Sequence, residues 1–126
     1  MPSHDEMVRT VERYVEAFDK NDAAMAADLY ATDATVEDPI GTPIHRGRDA
    51  IHAFYAASMQ ANAKLRLDGP VRTGGDYAAF AFTVLVDFGG PKEIEVIDTF
   101  KFDAEGKVME MRAYWNPANM RDTAAA

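Results

Sequence analysis

Between Phe80 and Phe102 apolar residues alternate with a period of two, interrupted once by a pair of glycines. Phe80, Phe82, Val84, Val86 and Phe88 fall on one face of a long strand, Gly89-Gly90 supply a tight turn, and Glu93 to Phe102 reads as the returning strand. A hairpin is barely stable alone, so other elements must be laid on its apolar face. They lie upstream. Met7, Val11, Tyr14, Val15 and Phe18 recur at helical spacing over residues 5–19, opposite Arg9, Glu12, Arg13 and Glu16. Asn21-Asp22 is a good N-cap pair for a second helix carrying Met25, Leu29 and Tyr30. Thr35 to Asp38 reads as a short strand ended by Pro39 and Gly41. A third helix spans about Arg48 to Met59, with Ile51, Phe54, Tyr55 and Ser58 on one side and no strong cap at its start. After a turn at Ala104-Glu105-Gly106, a strand from Val108 to Trp115 puts Met109, Met111, Ala113 and Trp115 on one side. Helices first and strands afterwards predict an α+β fold, three N-terminal helices covering a curved, mostly antiparallel sheet. Such a sheet closes on its helices as a cone with an apolar internal cavity.

The 126 residues make one domain, 1–126, with short flexible tails expected at about 1–4 and 120–126. Thirteen Lys and Arg against 21 Asp and Glu leave a net charge of −8, which disfavours nucleic acid and anionic membrane surfaces as partners. With no cysteine there is no disulfide, thiolate nucleophile or thiolate metal site. The N-terminus lacks a basic patch followed by an apolar run, and no apolar stretch is long enough for a membrane span, so a soluble cytoplasmic protein is expected. Ser3 and Ser58 are the only serines and no nucleophile elbow is present. His45, between Pro43 and Gly47, and His52 read as solvated surface histidines, and no metal site is expected. Carboxylates and tyrosines remain to carry chemistry.

Among these, Asp98 breaks the pattern most sharply. In an extended strand it shares a face with Ile94, Val96, Phe100 and Phe102, where a carboxyl is desolvated and its neutral form favoured. A register shift that turns it outward, or a purely structural buried acid, is the plainer alternative. Asp38 precedes Pro39 at a strand end, as either a partly solvated site carboxylate or an ordinary turn aspartate. Tyr14, Tyr30 and Tyr55 occupy the inner faces of their helices, so three phenols have the opportunity to meet, though each hydroxyl has backbone partners as the commoner solution.

Taken together, Arg13-Tyr14-Val15, the run Asp33 to Gly41 with its Val-Glu-Asp-Pro-Ile-Gly ending, Ala53-Phe54-Tyr55, Gly69-Pro70-Val71-Arg72, Val96-Ile97-Asp98 and Met111 to Trp115 resemble the Δ5-3-ketosteroid isomerase family. The resemblance covers almost the whole chain. It implies a conical fold of the nuclear transport factor 2-like type, a homodimer, and a cofactor-independent shift of a steroid double bond from the 5,6 to the 4,5 position. By the same resemblance Asp38 matches the general base, and Tyr14 and protonated Asp98 match the donors to the dienolate oxygen. Tyr30 and Tyr55 match supporting tyrosines, and Phe54, Phe82, Met111 and Trp115 would line the apolar slot for a steroid-like molecule. This reaction is itself a standard illustration of a carboxylic acid held neutral so that it donates.

Two rival readings use the same fold. A non-catalytic small-molecule or protein binding module needs no ionisable group at both Asp38 and Asp98. An epoxide hydrolase-like enzyme wants an Asp-Arg-Asp cluster to activate water, yet Arg112 falls on the strand face opposite Met111 and Trp115.

Overall fold

The structure is a computed structural model, and it describes residues 2–87 and 89–123. Helix α1 (His4–Asp19) opens with a capping box: Ser3 Oγ accepts from the Glu6 amide at 3.1 Å and the Glu6 carboxylate accepts from the Ser3 amide at 2.8 Å. Its apolar stripe, Met7, Val11, Tyr14, Ala17 and Phe18, is buried. Helix α2 (Ala23–Ala27) is capped by Asp22, which accepts from the Met25 amide at 3.0 Å. This helix is shorter than expected. The Leu29 carbonyl is taken by the Val108 amide at 2.9 Å, which draws the chain into strand β1 (Tyr30–Glu37). Tyr30 is therefore a strand residue, not part of the second helix.

The chain continues through β2 (His45–Arg46), α3 (Arg48–Gln60), β3 (Lys64–Leu67), β4 (Arg72–Gly74), the long hairpin β5 (Tyr77–Asp87) and β6 (Pro91–Phe102), β7 (Val108–Tyr114) and β8 (Met120–Asp122). Helix α3 starts without a side-chain cap, from Gly47 at φ +87°, a conformation that costs glycine little. Phe88, expected on the inner face of β5, lies outside the described residues.

Among the described residues the strands form one sheet in the order β2-β1-β7-β6-β5-β3, with β4 beside β5 and β8 beside β6. It is a mixed sheet: β1 runs parallel to β7, and the other pairs are antiparallel. Lys101 pairs with Glu110 but Phe102 pairs with Val108, so Met109 is an extra, bulged residue. The bulge puts Val108, not Met109, on the inner face: Val108 is fully buried and Met109 only half-buried. Ser3 and Met120–Asp122, expected in flexible tails, are held in the fold. Ser3 caps α1, and Met120–Asp122 pairs with Lys92–Ile94 of β6. No helix among the described residues is long and apolar enough to cross a membrane.

Candidate active site

A pocket of about 220 Å³ opens between α1, α3 and the inner face of β5 and β6. Its apolar walls include Phe18, Phe54, Ala63, Leu65, Phe82, Val84, Ile94 and Val96, and its polar groups come from Tyr14, Asp38, Tyr55, Ser58 and Trp115. Along β6 the slot is lined by Ile94 and Val96, with Asp98 one step further along the same face and outside the lining. Phe54, Phe82 and Trp115 line this slot. Met111 does not: it is fully buried in the core and stands apart from the lining.

Tyr14 reaches the pocket from the middle of α1, its ring held edge-on by Phe18 at 5.3 Å, Phe80 at 6.0 Å and Phe100 at 5.3 Å between centroids. Three phenols meet. The Tyr30 and Tyr55 hydroxyls are 2.6 Å apart, and the Tyr55 hydroxyl donates to Tyr14 at 3.3 Å. A phenol has one proton. Since Tyr55 spends its proton on Tyr14, Tyr30 is the donor to Tyr55, and the Tyr14 proton is left to point elsewhere. Burial raises the pKa of all three well above that of free tyrosine, so each is a neutral donor at ordinary pH.

Asp98 stands on β6 between Phe80 and Ala113 of the flanking strands and is 1% exposed. Neither carboxyl oxygen makes a hydrogen bond to a described residue. Burial pushes its pKa well above the usual carboxylate range, and the negative charge of Asp38 adds to the rise. The nearby Tyr14 hydroxyl, short of a formed hydrogen bond, opposes it weakly. Asp98 is neutral where an exposed aspartate is charged. Its folded-state pKa is raised, so the folded protein keeps a proton that the unfolded chain releases above about 3.9. Stability from this group is complete below that value and is lost as pH rises towards the folded pKa, by at most about 1.4 kcal/mol per pH unit. Asp98→Asn cannot titrate. It is expected to gain stability relative to wild type between pH 5 and 8 in denaturant unfolding; a difference flat with pH would mean that Asp98 is ionised in the fold.

Asp38 is placed differently. It follows β1, half-buried, and the chain beyond it is tied down by the Ile40 amide donating to the Ala113 carbonyl at 2.9 Å. The Trp115 indole N–H donates to Asp38 Oδ1 at 2.9 Å. Burial raises the Asp38 pKa, while the Trp115 hydrogen bond and the charge of His45 restrain the rise. Asp38 thus lines the pocket, half-open, with two neighbours that favour its charged form, while Asp98 is buried outside the lining, where its neutral form is favoured.

Sequence reasoning took Trp115 as apolar wall and missed its N–H, although a tryptophan beside a carboxylate always carries that handle. It also took His45 as solvated. The ring is half-buried and lies 4.6 Å from that of Phe54, because β2 carries it onto the pocket side, and no sequence signal locates a two-residue strand. Glu37, beside Asp38, is occupied otherwise: it accepts from the Gly41 amide at 2.9 Å and pairs with Arg112 at 3.4 Å. Arg112 is held by Glu37, Glu110 and Thr35 and does not line the pocket. Among the described residues no group of three or more His, Asp or Glu is placed to hold a metal ion.

Comparison with known proteins bears on the family and the fold. The SnoaL-like domain family matches residues 11–111. A steroid Δ-isomerase of Nocardioides simplex is 42% identical over 121 residues, covering 95% of this chain and 98% of that protein. The chain belongs to the steroid Δ-isomerase family. The fold has a further counterpart in the solved structure of an epoxide hydrolase/cyclase-like enzyme of pyran-ring formation in the polyether salinomycin. That match has a TM-score of 0.91 over 98% of this chain and 100% of the other, at 22% identity. Within the steroid Δ-isomerase family this member thus shares its backbone architecture with an enzyme described by different chemistry, and the side chains of the pocket must decide between them.

Proposed function

We propose that the protein is a steroid Δ-isomerase, converting 3-oxo-Δ5-steroids to 3-oxo-Δ4-steroids by moving one proton within the substrate, without a cofactor. Asp38 takes the proton from carbon 4 and returns it to carbon 6. As it does so, the 3-oxo oxygen gains charge and is met by donors from Tyr14 and neutral Asp98. Donors that strengthen with that charge lower the barrier more than they tighten substrate binding. The observation that carries this reading is the contrast between the two aspartates: one buried, unpaired and neutral beside Tyr14, the other half-open and hydrogen-bonded by Trp115. Tyr30 and Tyr55 support it by donating in sequence towards Tyr14.

The hydrolase reading is disfavoured because Arg112 is committed to Glu37 and Glu110, away from both aspartates. A pair of copies meeting through the outer face of the sheet belongs to the same proposal. Ile97 and Tyr114, each 49% exposed, stand opposite one another there, and light scattering should return twice the chain mass. The deciding experiment mixes the protein with a 5-ene-3-ketosteroid and follows the ultraviolet absorbance of the conjugated enone. Absorbance is expected to rise far faster than in buffer. An unchanged rate would sink the isomerase reading.

A further inference from the structure

We propose that His45 is a positioning residue that keeps Asp38 ionised as pH falls, extending the working range of the base on the acid side of neutrality. The effect on rate rests on the isomerase reading above, but the effect on Asp38 itself does not. His45 lies directly opposite Val36 in the antiparallel β1–β2 ladder, and directly opposed residues share a face of the sheet. Val36 is fully buried, so that face is the inner one. Asp38 follows two residues beyond Val36, just past the end of β1, and lines the pocket on that same inner side. From the other side, α3 presents Phe54, a pocket-lining ring whose centroid is 4.6 Å from that of His45 at a tilt of 35°. The imidazole is thus held between a strand and an aromatic ring at the border of the pocket.

The other charged groups around this corner are turned away or paired. On β1, Glu37 is bound by Arg112 and the Gly41 amide. On β2, Arg46 is exposed and, as the neighbour of His45, points to the opposite face. At the start of α3, Arg48 is paired with Asp28, while Asp49 and His52 are exposed. From α1, β1 and α3 the phenols of Tyr14, Tyr30 and Tyr55 are neutral, and from β6 Asp98 has no positive charge to offer. From just past the end of β7, Trp115 gives Asp38 a neutral hydrogen bond. A charged imidazole here opposes the rise that burial imposes on Asp38. Histidine is the side chain type that can add positive charge as pH falls through the range in which enzymes commonly work.

The test follows the Asp38 carboxyl by carbon-13 NMR titration in the full chain, alongside kcat/KM against pH. In His45→Phe, which keeps a ring against Phe54, the Asp38 midpoint is expected to move up by about 0.5–1 pH unit. The variant-to-wild-type ratio of kcat/KM should then fall about 3–10-fold between pH 8 and pH 5. His45→Gln, uncharged and not aromatic, should shift the midpoint in the same direction, whereas His45→Lys, charged throughout, should not raise it. A midpoint unchanged in His45→Phe, or raised equally in His45→Lys, overturns the proposal, because His45 would then act only by packing. If wild type isomerises nothing but the midpoint still moves in the uncharged variants, the isomerase reading fails and the role of His45 stands.

Discussion

Asp38→Asn is expected to lower turnover by about 10²–10⁴-fold or more, the range that a positioned proton acceptor contributes, while a steroid product still binds. Asparagine is close to isosteric with aspartate, and its amide oxygen can still accept from the Trp115 indole, so the pocket wall keeps its shape. What the amide cannot do is take a proton from carbon. Steady-state rates with a 5-ene-3-ketosteroid, together with fluorescence titration of the product, separate the two effects. A loss of less than tenfold would move the role of base elsewhere. Glu37 would be the next suspect, although its pairing with Arg112 and the Gly41 amide makes it a poor one.

Tyr14→Phe is expected to cost about 10²–10³ in kcat, the usual effect of deleting one donor to a developing oxyanion. The ring contacts with Phe18, Phe80 and Phe100 survive the substitution, so the loss should fall on turnover with little change in KM. A second signature comes from the chain of phenols. Without the Tyr14 oxygen the proton of Tyr55 has no acceptor in that direction, and a buried unpaired hydroxyl costs stability of about 1–3 kcal/mol. An unchanged kcat with a raised KM would instead make Tyr14 a ground-state binding residue.

Local pattern made most of the scaffold legible. The alternation from Phe80 to Phe102 specified the β5–β6 hairpin, and the stripe on α1 marked which side Tyr14 faces. Asp98 could be singled out because period two is rigid: an acid on the same side as Ile94 and Phe100 has nowhere to go but inward. Four things were not legible, each because a distant segment decided it. Tyr30 left the second helix since Val108, far along the chain, claims the Leu29 carbonyl. Met109 and Val108 exchanged roles through a bulge, which follows from pairing with β6 and not from the strand's own residues. Met111 looked equivalent to Trp115 in alternation, yet it lies under the sheet's centre while Trp115 lies just past the strand end and beside Asp38. The character of His45 depended on the register of a two-residue strand, too short to leave a period.

The parallel pairing of β1 with β7 has a kinetic consequence. Asp38 leaves the end of one of these strands and Trp115 the end of the other, so the hydrogen bond that orients Asp38 joins residues 77 positions apart. Contacts of such separation require closing a long loop before any of its reward is collected, and chains that rely on them fold slowly. The hairpin and α1, built from near neighbours, are free to form earlier. A refolding chain therefore regains most of its helix and strand signal before Asp38 meets Trp115, and fluorescence of the single tryptophan reports the arrival of the last long-range partner.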